Sequence, residues 1–221
     1  GLLKSPDFDQ SLKKLIQIPG RQAINPLFSF LYHKDTQIRW RAITAMGSVV
    51  SHLADEDMES ARVIMRRLMW NLNDESGGIG WGSPEAMGEI MASHQGVAKE
   101  YAHVLLSYTR EEGNYLEHEM LQRGLLWGIG RLCQVNPHLA RDAAPNLIPY
   151  LKSTDAFVRG LAAWVMGLLR MGKARPFLER LKEDGTEIQM YRDGRLMKRR
   201  VKELAEEAFM RLASQSDTSN G

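Results

Sequence analysis

Two stretches of this chain repeat each other: residues 35–47 read DTQIRWRAITAMG, and residues 155–167 read DAFVRGLAAWVMG. They share an Asp, a β-branched residue three positions later, the next Arg, and then Ala, Met and Gly. Counted from the β-branched residue, the first, fifth and ninth positions are apolar and lie on one face of a helix, because residues four apart are neighbours there. The repeat therefore predicts a buried helix, which we call the frame helix.

The ten residues from the β-branched residue to the Gly form a frame, and this frame recurs elsewhere in the chain. Ile79–Gly88 and Leu121–Gly130 also end in Gly, and Met197–Glu206 is a weaker fifth copy. The five frames end about 41, 42, 37 and 39 residues apart, which is the spacing of HEAT and armadillo units. A Gly inside a helix costs about 0.5–1 kcal/mol relative to Ala, so a repeated Gly indicates that a neighbouring helix packs closely there.

A second amphipathic stretch precedes each frame, and a partial cap comes before them all at Phe8–Ile18. The five stretches are Ala23–Tyr32, Asp57–Leu72, Gly96–Tyr108, His138–Leu151 and Lys173–Lys182. Paired with the frames, they predict an all-α fold, a right-handed superhelix of about five helical hairpins. Alternating apolar residues around Asp193-Gly194 predict a short β-hairpin near residues 187–196. We predict one solenoid domain over residues 1–213 and a disordered tail over residues 214–221.

The frame at residues 35–47 and 155–167 resembles that of HEAT-like repeat proteins, particularly the short bacterial type related to phycobilisome-lyase repeats. The resemblance covers about residues 23–213. It implies that the turn Asp and the helix Arg of stacked repeats pair with each other, a structural role for Asp35, Arg39, Asp155 and Arg159. Gly80 and Gln122 stand where the middle frames would have this Arg. We therefore expect the ladder of ion pairs to be broken in the middle repeats.

Composition limits the classes of function. The formal net charge of +2 gives the chain no general attraction to nucleic acid or to an anionic membrane. No apolar run approaches the roughly 20 residues that a spanning helix needs, and no secretory signal is recognisable, so we expect a cytoplasmic protein. Cys133, the single cysteine, lies in an apolar helix and is expected to be a buried, inert thiol. We expect no cofactor and no metal site. His118-Glu119 is a single His-Glu pair in the sequence, so it does not by itself indicate a metal site.

The most unusual segment runs from Trp70 to Glu85 and contains four Gly, two Trp and three carboxylates. Gly77-Gly78 permits backbone conformations that other residues avoid, and Gly82-Ser83-Pro84 resists continuation of a helix. A stacking unit needs none of these features. We consider two interpretations: a loop that binds a partner or ligand, and a long turn whose Trp70 and Trp81 anchor the core.

A stripe at the third, seventh and eleventh frame positions also invites two interpretations. Four of the five Trp fall on it: Trp40 in the first frame, Trp81 with Glu85 and Glu89, Trp127 with Arg123 and Arg131, and Trp164. Corresponding helix positions align in a solenoid, so the stripe predicts a band of indoles, carboxylates and guanidinium groups on one surface. Such residues are typical of binding hot spots. The alternative places the Trp side chains in the core between repeats, with Glu and Arg as neutralising ion pairs.

These patterns favour a non-catalytic binding or assembly scaffold that uses the solenoid surface to bind a protein partner, with no catalytic residues. The predicted binding residues are Trp70, Asn71, Asp74, Glu75, Trp81, Glu85, Glu89, Arg123, Trp127, Arg131 and Trp164. The alternative is a groove-based enzyme or a DNA-lesion binder, since the Trp and Arg residues are similar in type to those of HEAT-like alkylpurine DNA glycosylases. Glu85 and Glu89 lie in the same band and the net charge is nearly neutral, so nucleic acid is not the expected partner.

Overall fold

The computed structural model describes residues 1–73 and 80–214. Asp74 and Glu75, the start of the second frame and tail residues 215–221 lie outside this part of the chain. The chain packs as two compact units, which we call unit 1 (Gly1–Leu105) and unit 2 (Leu106–Gly221). The prediction of one domain over residues 1–213 stays a prediction. Among the described residues, no helix is both long enough and apolar enough to cross a membrane.

Unit 1 is built from helices joined by short reversals. They are α1 (Phe8–Ile16), α2 (Gly20–Phe30), α3 (Thr36–Glu56), α4 (Met58–Asn73), α5 (Ser83–Ser93) and the start of α6 (Gln95–Ser107). Asp35 caps α3 by accepting hydrogen bonds from the backbone N–H groups of Gln37 and Ile38. Only Asp57 separates α3 from α4, so the chain reverses there without a loop. α5 begins after Gly82, whose φ of 79° is left-handed, and carries Pro84 in its first turn.

Unit 2 continues the alternation with more irregular first helices. Its elements are α7 (Glu119–Val135), a 3-10 turn (Pro137–Ala143), α8 (Ala144–Leu147), a 3-10 turn (Ile148–Lys152), α9 (Ala156–Leu168), a 3-10 turn (Gly172–Ala174), α10 (Arg175–Leu181), β1 (Glu187–Arg192), β2 (Arg195–Arg200) and α11 (Val201–Ala213). The predicted helix His138–Leu151 is therefore wrong as one element. Pro145 and Pro149 lack the N–H that a continuous helix needs, and the segment becomes a chain of short turns.

The prediction of about five helical pairs is confirmed by the order of the described elements. The pairs are α2 with α3, α4 with α5, α6 with α7, the segment Pro137–Lys152 with α9, and α10 with α11. Their frame helices form the inner packing of each unit: α3 contacts α5 in unit 1, and α7 contacts α9 and α9 contacts α11 in unit 2. The fold class is thus a repeat of helical pairs, as the frame spacing indicated.

The predicted β-hairpin is also confirmed, and its strands extend to Arg200. β1 pairs with β2 in antiparallel register, with Met190 opposite Met197. Asp193 and Gly194 have φ angles of 52° and 77°, the left-handed pair that a two-residue hairpin turn requires. The hairpin corrects the fifth frame, because Met197–Arg200 is strand and α11 begins only at Val201.

The frame glycines do bring helices close together. A Cβ on Gly47 would lie 2.7 Å from Cγ of Glu89, and one on Gly167 would lie 2.7 Å from Cα of Ala208. A Cβ on Gly130 would overlap the indole ring of Trp164. At these three positions the helix of the next pair occupies the space that any side chain would need, which explains the repeated Gly.

Candidate functional site

Unit 1 exposes three large aromatic side chains, and we call Tyr32, Trp70 and Trp81 the aromatic patch. Their exposed fractions are 55%, 72% and 39%, and the other exposed large apolar residues among those described are the aliphatic Val63, Val135 and Met210. Burying a large aromatic side chain is favourable by a few kcal/mol, so exposed indoles are unusual in a folded chain. The interpretation of Trp70 and Trp81 as core anchors does not fit this exposure.

Tyr32 and Trp81 flank one tight backbone contact. A Cβ on Gly82 would lie 2.5 Å from the carbonyl oxygen of Leu31, so only Gly fits at this point. Trp81 precedes Gly82 and Tyr32 follows Leu31 in the chain. The two exposed rings therefore emerge from neighbouring points of the unit 1 surface.

Trp70 lies toward the same end of the helices. Arg67 of α4 donates a hydrogen bond of 2.7 Å to Oδ1 of Asn25, and its guanidinium lies 3.9 Å from the centre of the Phe28 ring in α2. Because α2 and α4 are each joined to α3 by a reversal, they run in the same direction. Trp70 comes one turn after Arg67, toward the end of α2 where Tyr32 lies. Asn71 is half-buried in the same final turn of α4.

Glu85 lies buried in the first turn of α5, and Trp81 of the aromatic patch precedes it closely in the chain. Its Oε2 has no hydrogen-bond partner among the described residues, and the same is true of the buried Nε of Arg39. Burial raises the pKa of Glu85, and the nearby positive charge of Arg39 opposes the shift only in part. Asp35 serves as the cap of α3, and the predicted ladder role of Arg39 stays a prediction, because the turn after α4 lies outside the described residues.

The other members of the predicted band are buried or half-buried, unlike Trp81. Glu89 is buried against Gly47, and Arg131 is half-buried. Trp40 is buried in α3. Trp127 and Trp164 are 4% and 2% exposed, so these indoles belong to the core, as the alternative interpretation held.

β1 covers part of the unit 2 stripe. The indole N–H of Trp127 donates a 2.7 Å hydrogen bond to the backbone oxygen of Tyr191, and the two rings lie 6.4 Å apart. At Gly160 on the same stripe, a Cβ would lie 3.0 Å from Cδ1 of Ile188. The hairpin therefore occupies the α7 and α9 faces that the sequence suggested for a partner.

Arg123 takes part in a structural ion pair. Its Nη2 and Nε both donate to Asp155, the latter over 3.0 Å to Oδ2, and its guanidinium lies 4.4 Å from the centre of the Phe157 ring. One pair further along, Arg159 donates to Oδ2 of Asp184 over 2.6 Å. The expectation of a ladder broken at Gln122 is therefore wrong, because Arg123, one residue later, supplies the missing charge.

Sequence patterns missed a cleft of about 650 Å³ in unit 2. The connection after α6 supplies Glu111 and Tyr115, α7 supplies Gln122, and the proline-rich segment before α9 supplies Tyr150 and Lys152. These residues belong mostly to irregular segments, where helical periodicity carries no signal. An apolar groove of about 380 Å³ lies beside α2 in unit 1, lined by residues such as Leu3, Leu27 and Phe30.

Two chemical classes of site find no support in the described ranges. No group of three His, Cys, Asp or Glu side chains there is arranged to hold a metal ion. Burial raises the pKa of the Cys133 thiol to about 12, so it is almost entirely protonated at neutral pH. His118 caps α7 by accepting a hydrogen bond from the N–H of Met120.

Comparisons with known proteins agree with this architecture. Residues 119–169 match the family model described as HEAT-like repeat. An uncharacterized protein of Archaeoglobus fulgidus is 30% identical over 126 residues, which is 57% of this chain and 60% of the length of that relative. The narrower resemblance to phycobilisome-lyase repeats stays a prediction.

Solved structures extend the likeness to nearly the whole chain. A designed armadillo repeat protein in complex with the peptide (KR)4 has a TM-score of 0.54 at 18% identity, covering 96% of each chain. Computationally designed armadillo repeat proteins for modular peptide recognition have a TM-score of 0.53 at 17% identity, covering 95% of this chain and 96% of theirs. Residues 119–169 therefore match a HEAT-like repeat, and the fold of the chain is of the armadillo and HEAT type.

Proposed function

We propose that this protein is a non-catalytic binding scaffold that captures a peptide segment of a protein partner on the aromatic patch of unit 1. The observation that carries the proposal is the exposure of Trp70, Trp81 and Tyr32 at one end of the helices of unit 1. Trp and Tyr are the residue types that most often dominate binding energy in protein interfaces, since they bury large area with few rotatable bonds.

The setting of the patch supports the same proposal. Gly82 and Pro84 fix the backbone beside Trp81, and Arg67 is held by Asn25 and Phe28 one turn before Trp70. Rigid anchors lose little entropy on binding, which favours affinity. Of the designed armadillo proteins of similar fold, one is in complex with a peptide and others were designed for modular peptide recognition. This supports a peptide as the partner. A cytoplasmic location remains part of the proposal, and the single cysteine agrees with a reducing compartment.

The test is selection of peptides from an unbiased displayed library on the intact chain, followed by measurement of Kd for the selected peptides. Replacing Trp70 and Trp81 together by Ala is expected to weaken binding at least tenfold, because the peptide loses two aromatic anchors that it buries on binding. The melting temperature should change little, since both rings are exposed.

Met210→Ala is the matched control, because Met210 is a large apolar side chain with 66% exposure in unit 2. It should bind the selected peptides with unchanged Kd. Selected peptides that bind the double variant and the unaltered chain equally well would refute the patch as the binding surface.

A further inference from the structure

The unit 2 cleft has the size of a ligand site. Its volume of about 650 Å³ falls within the roughly 300–1,000 Å³ of small-molecule pockets. Three lining side chains, Thr109, Gln122 and Tyr150, are buried. The cleft is bounded by two different connections of the chain, so its walls do not belong to a single helix face.

The floor of the cleft contains one buried polar group without a well-formed hydrogen bond, the hydroxyl of Tyr150. Gln122 is held by donating to the backbone oxygen of Leu116 over 2.9 Å, and it also donates to the Tyr115 hydroxyl over 3.2 Å. The buried Tyr150 hydroxyl makes no well-formed hydrogen bond with a described residue. Burial, followed by the neighbouring Tyr115 hydroxyl and the Glu111 carboxylate, raises the pKa of Tyr150, so it keeps its proton. An unpaired buried donor is costly, and it is satisfied when an acceptor enters the cleft.

The charged side chains around the cleft are balanced in sign. Glu111 and Glu112 line it together with Arg110, and Lys152 comes from the other connection. All four are exposed, and the ammonium group of Lys152 lies 4.8 Å from the centre of the Phe177 ring. A ligand with only negative groups would meet the two carboxylates, and one with only positive groups would meet the two cations. A ligand that carries both charges satisfies all four residues.

We propose that this cleft binds a free amino acid or short peptide in its zwitterionic form. The ligand carboxylate accepts hydrogen bonds from Tyr150 and Tyr115 beside Lys152, and the ligand ammonium group lies against Glu111 and Glu112. The inference rests on unit 2 alone, so it is independent of the peptide surface proposed for unit 1.

The test uses the tripeptide Ala-Ala-Ala with free termini, titrated into the whole isotope-labelled chain and followed by amide chemical shifts. Saturable shifts are expected at the lining residues of the cleft, with a Kd on the order of 1 mM or below. N-acetylated tripeptide and tripeptide amide, which each lack one charge, should bind about tenfold more weakly.

Two variants and one control separate recognition from folding. Tyr150→Phe removes the unpartnered hydroxyl, so it should weaken tripeptide binding about tenfold while the melting temperature stays equal or rises. Glu111→Gln should weaken binding of the free tripeptide but not of its N-acetylated form, and Glu183→Gln, an exposed carboxylate outside the cleft, should have no effect. Absence of saturable shifts, or equal affinity for the free and blocked tripeptides, would overturn the proposal.

Discussion

Gly130 shows how one missing side chain sets the distance between two helices. The ring of Trp164 from α9 fills the space next to its Cα, so α7 and α9 approach more closely than a Cβ would permit. The helix loses about 0.5–1 kcal/mol of intrinsic stability through this Gly, and the burial of a complete indole offsets the loss. At Gly47 and Gly167 the neighbouring atoms belong to Glu89 and Ala208, so these glycines allow close helix approach without burying an indole.

Gly130→Ala is therefore expected to destabilise the chain by about 1–3 kcal/mol, because overpacking outweighs the gain in helix propensity. Chemical denaturation measures the change in free energy of unfolding. Gly185→Ala, at a site where a Cβ would meet no atom within 4 Å, should be close to neutral. Equal stability of the Gly130 variant and the unaltered chain would contradict the close contact.

Glu85 carries a cost that depends on pH. Burial raises its pKa above the ordinary value of 4.5, so the folded state holds the proton more tightly than the unfolded state. The unfavourable contribution is absent below pH 4.5 and grows as pH rises through the folded-state pKa.

Glu85→Gln removes this charge and is expected to raise the free energy of unfolding at pH 7 by on the order of 1 kcal/mol, or about 3 °C in Tm. The difference between variant and unaltered chain should disappear toward pH 4, as measured by thermal unfolding across the pH range. A variant that is less stable at pH 7 would show that the ionised carboxylate stabilises the fold.

The turns that precede α3 and α9 begin with the same residue but are held differently. Asp35 and Asp155 both cap a frame helix by accepting backbone N–H groups. Asp155 also binds Arg123. Burial alone would raise the pKa of Asp155, but the hydrogen bonds from Arg123 and from the N–H of Val158 outweigh it and lower the pKa below 3.8. The ion pair thus stabilises the fold at pH values above the ordinary Asp pKa of 3.8, and this contribution is lost as pH falls through the lowered folded-state pKa.

Asp155→Asn keeps a good cap but discharges the partner of Arg123, so it should cost about 1–3 kcal/mol at pH 7. Asp35→Asn is the matched control and should cost less than about 0.5 kcal/mol, because Asn caps a helix as well as Asp does. Denaturation at pH 7 and at pH 3 measures both effects. If the two variants lose equal stability, the ion pair contributes nothing beyond the cap.

The whole chain divides its tryptophans into two environments. Trp70 and Trp81 are exposed, whereas Trp40, Trp127 and Trp164 are buried. Iodide should therefore quench the fluorescence of the exposed tryptophans and not that of the buried ones. Replacing Trp70 and Trp81 by Phe should remove most of the quenchable emission. Denaturing this variant should make its emission quenchable again, because unfolding exposes the three remaining tryptophans. A double variant with an unchanged quenchable fraction would contradict the described exposure.

The sequence alone determined the helical pairs, because a frame with apolar residues four apart and a Gly at its end has one stable arrangement in a repeat. It also determined the hairpin, since Asp193-Gly194 allows the left-handed turn that joins two strands. It could not assign the indoles, because an amphipathic pattern does not tell a buried aromatic from an exposed one when all faces of a helix are covered.

The tertiary structure decided those questions. β1 folds over Trp127 and withdraws it from solvent, Arg123 reaches Asp155 across 32 positions of sequence, and Trp70 stays exposed at the end of α4. Each outcome depends on which distant segment packs against a given face, and the unit 2 cleft arises in the same way from two irregular connections. Repeating patterns specify local helices, whereas burial and charge pairing are properties of contacts that only the folded chain creates.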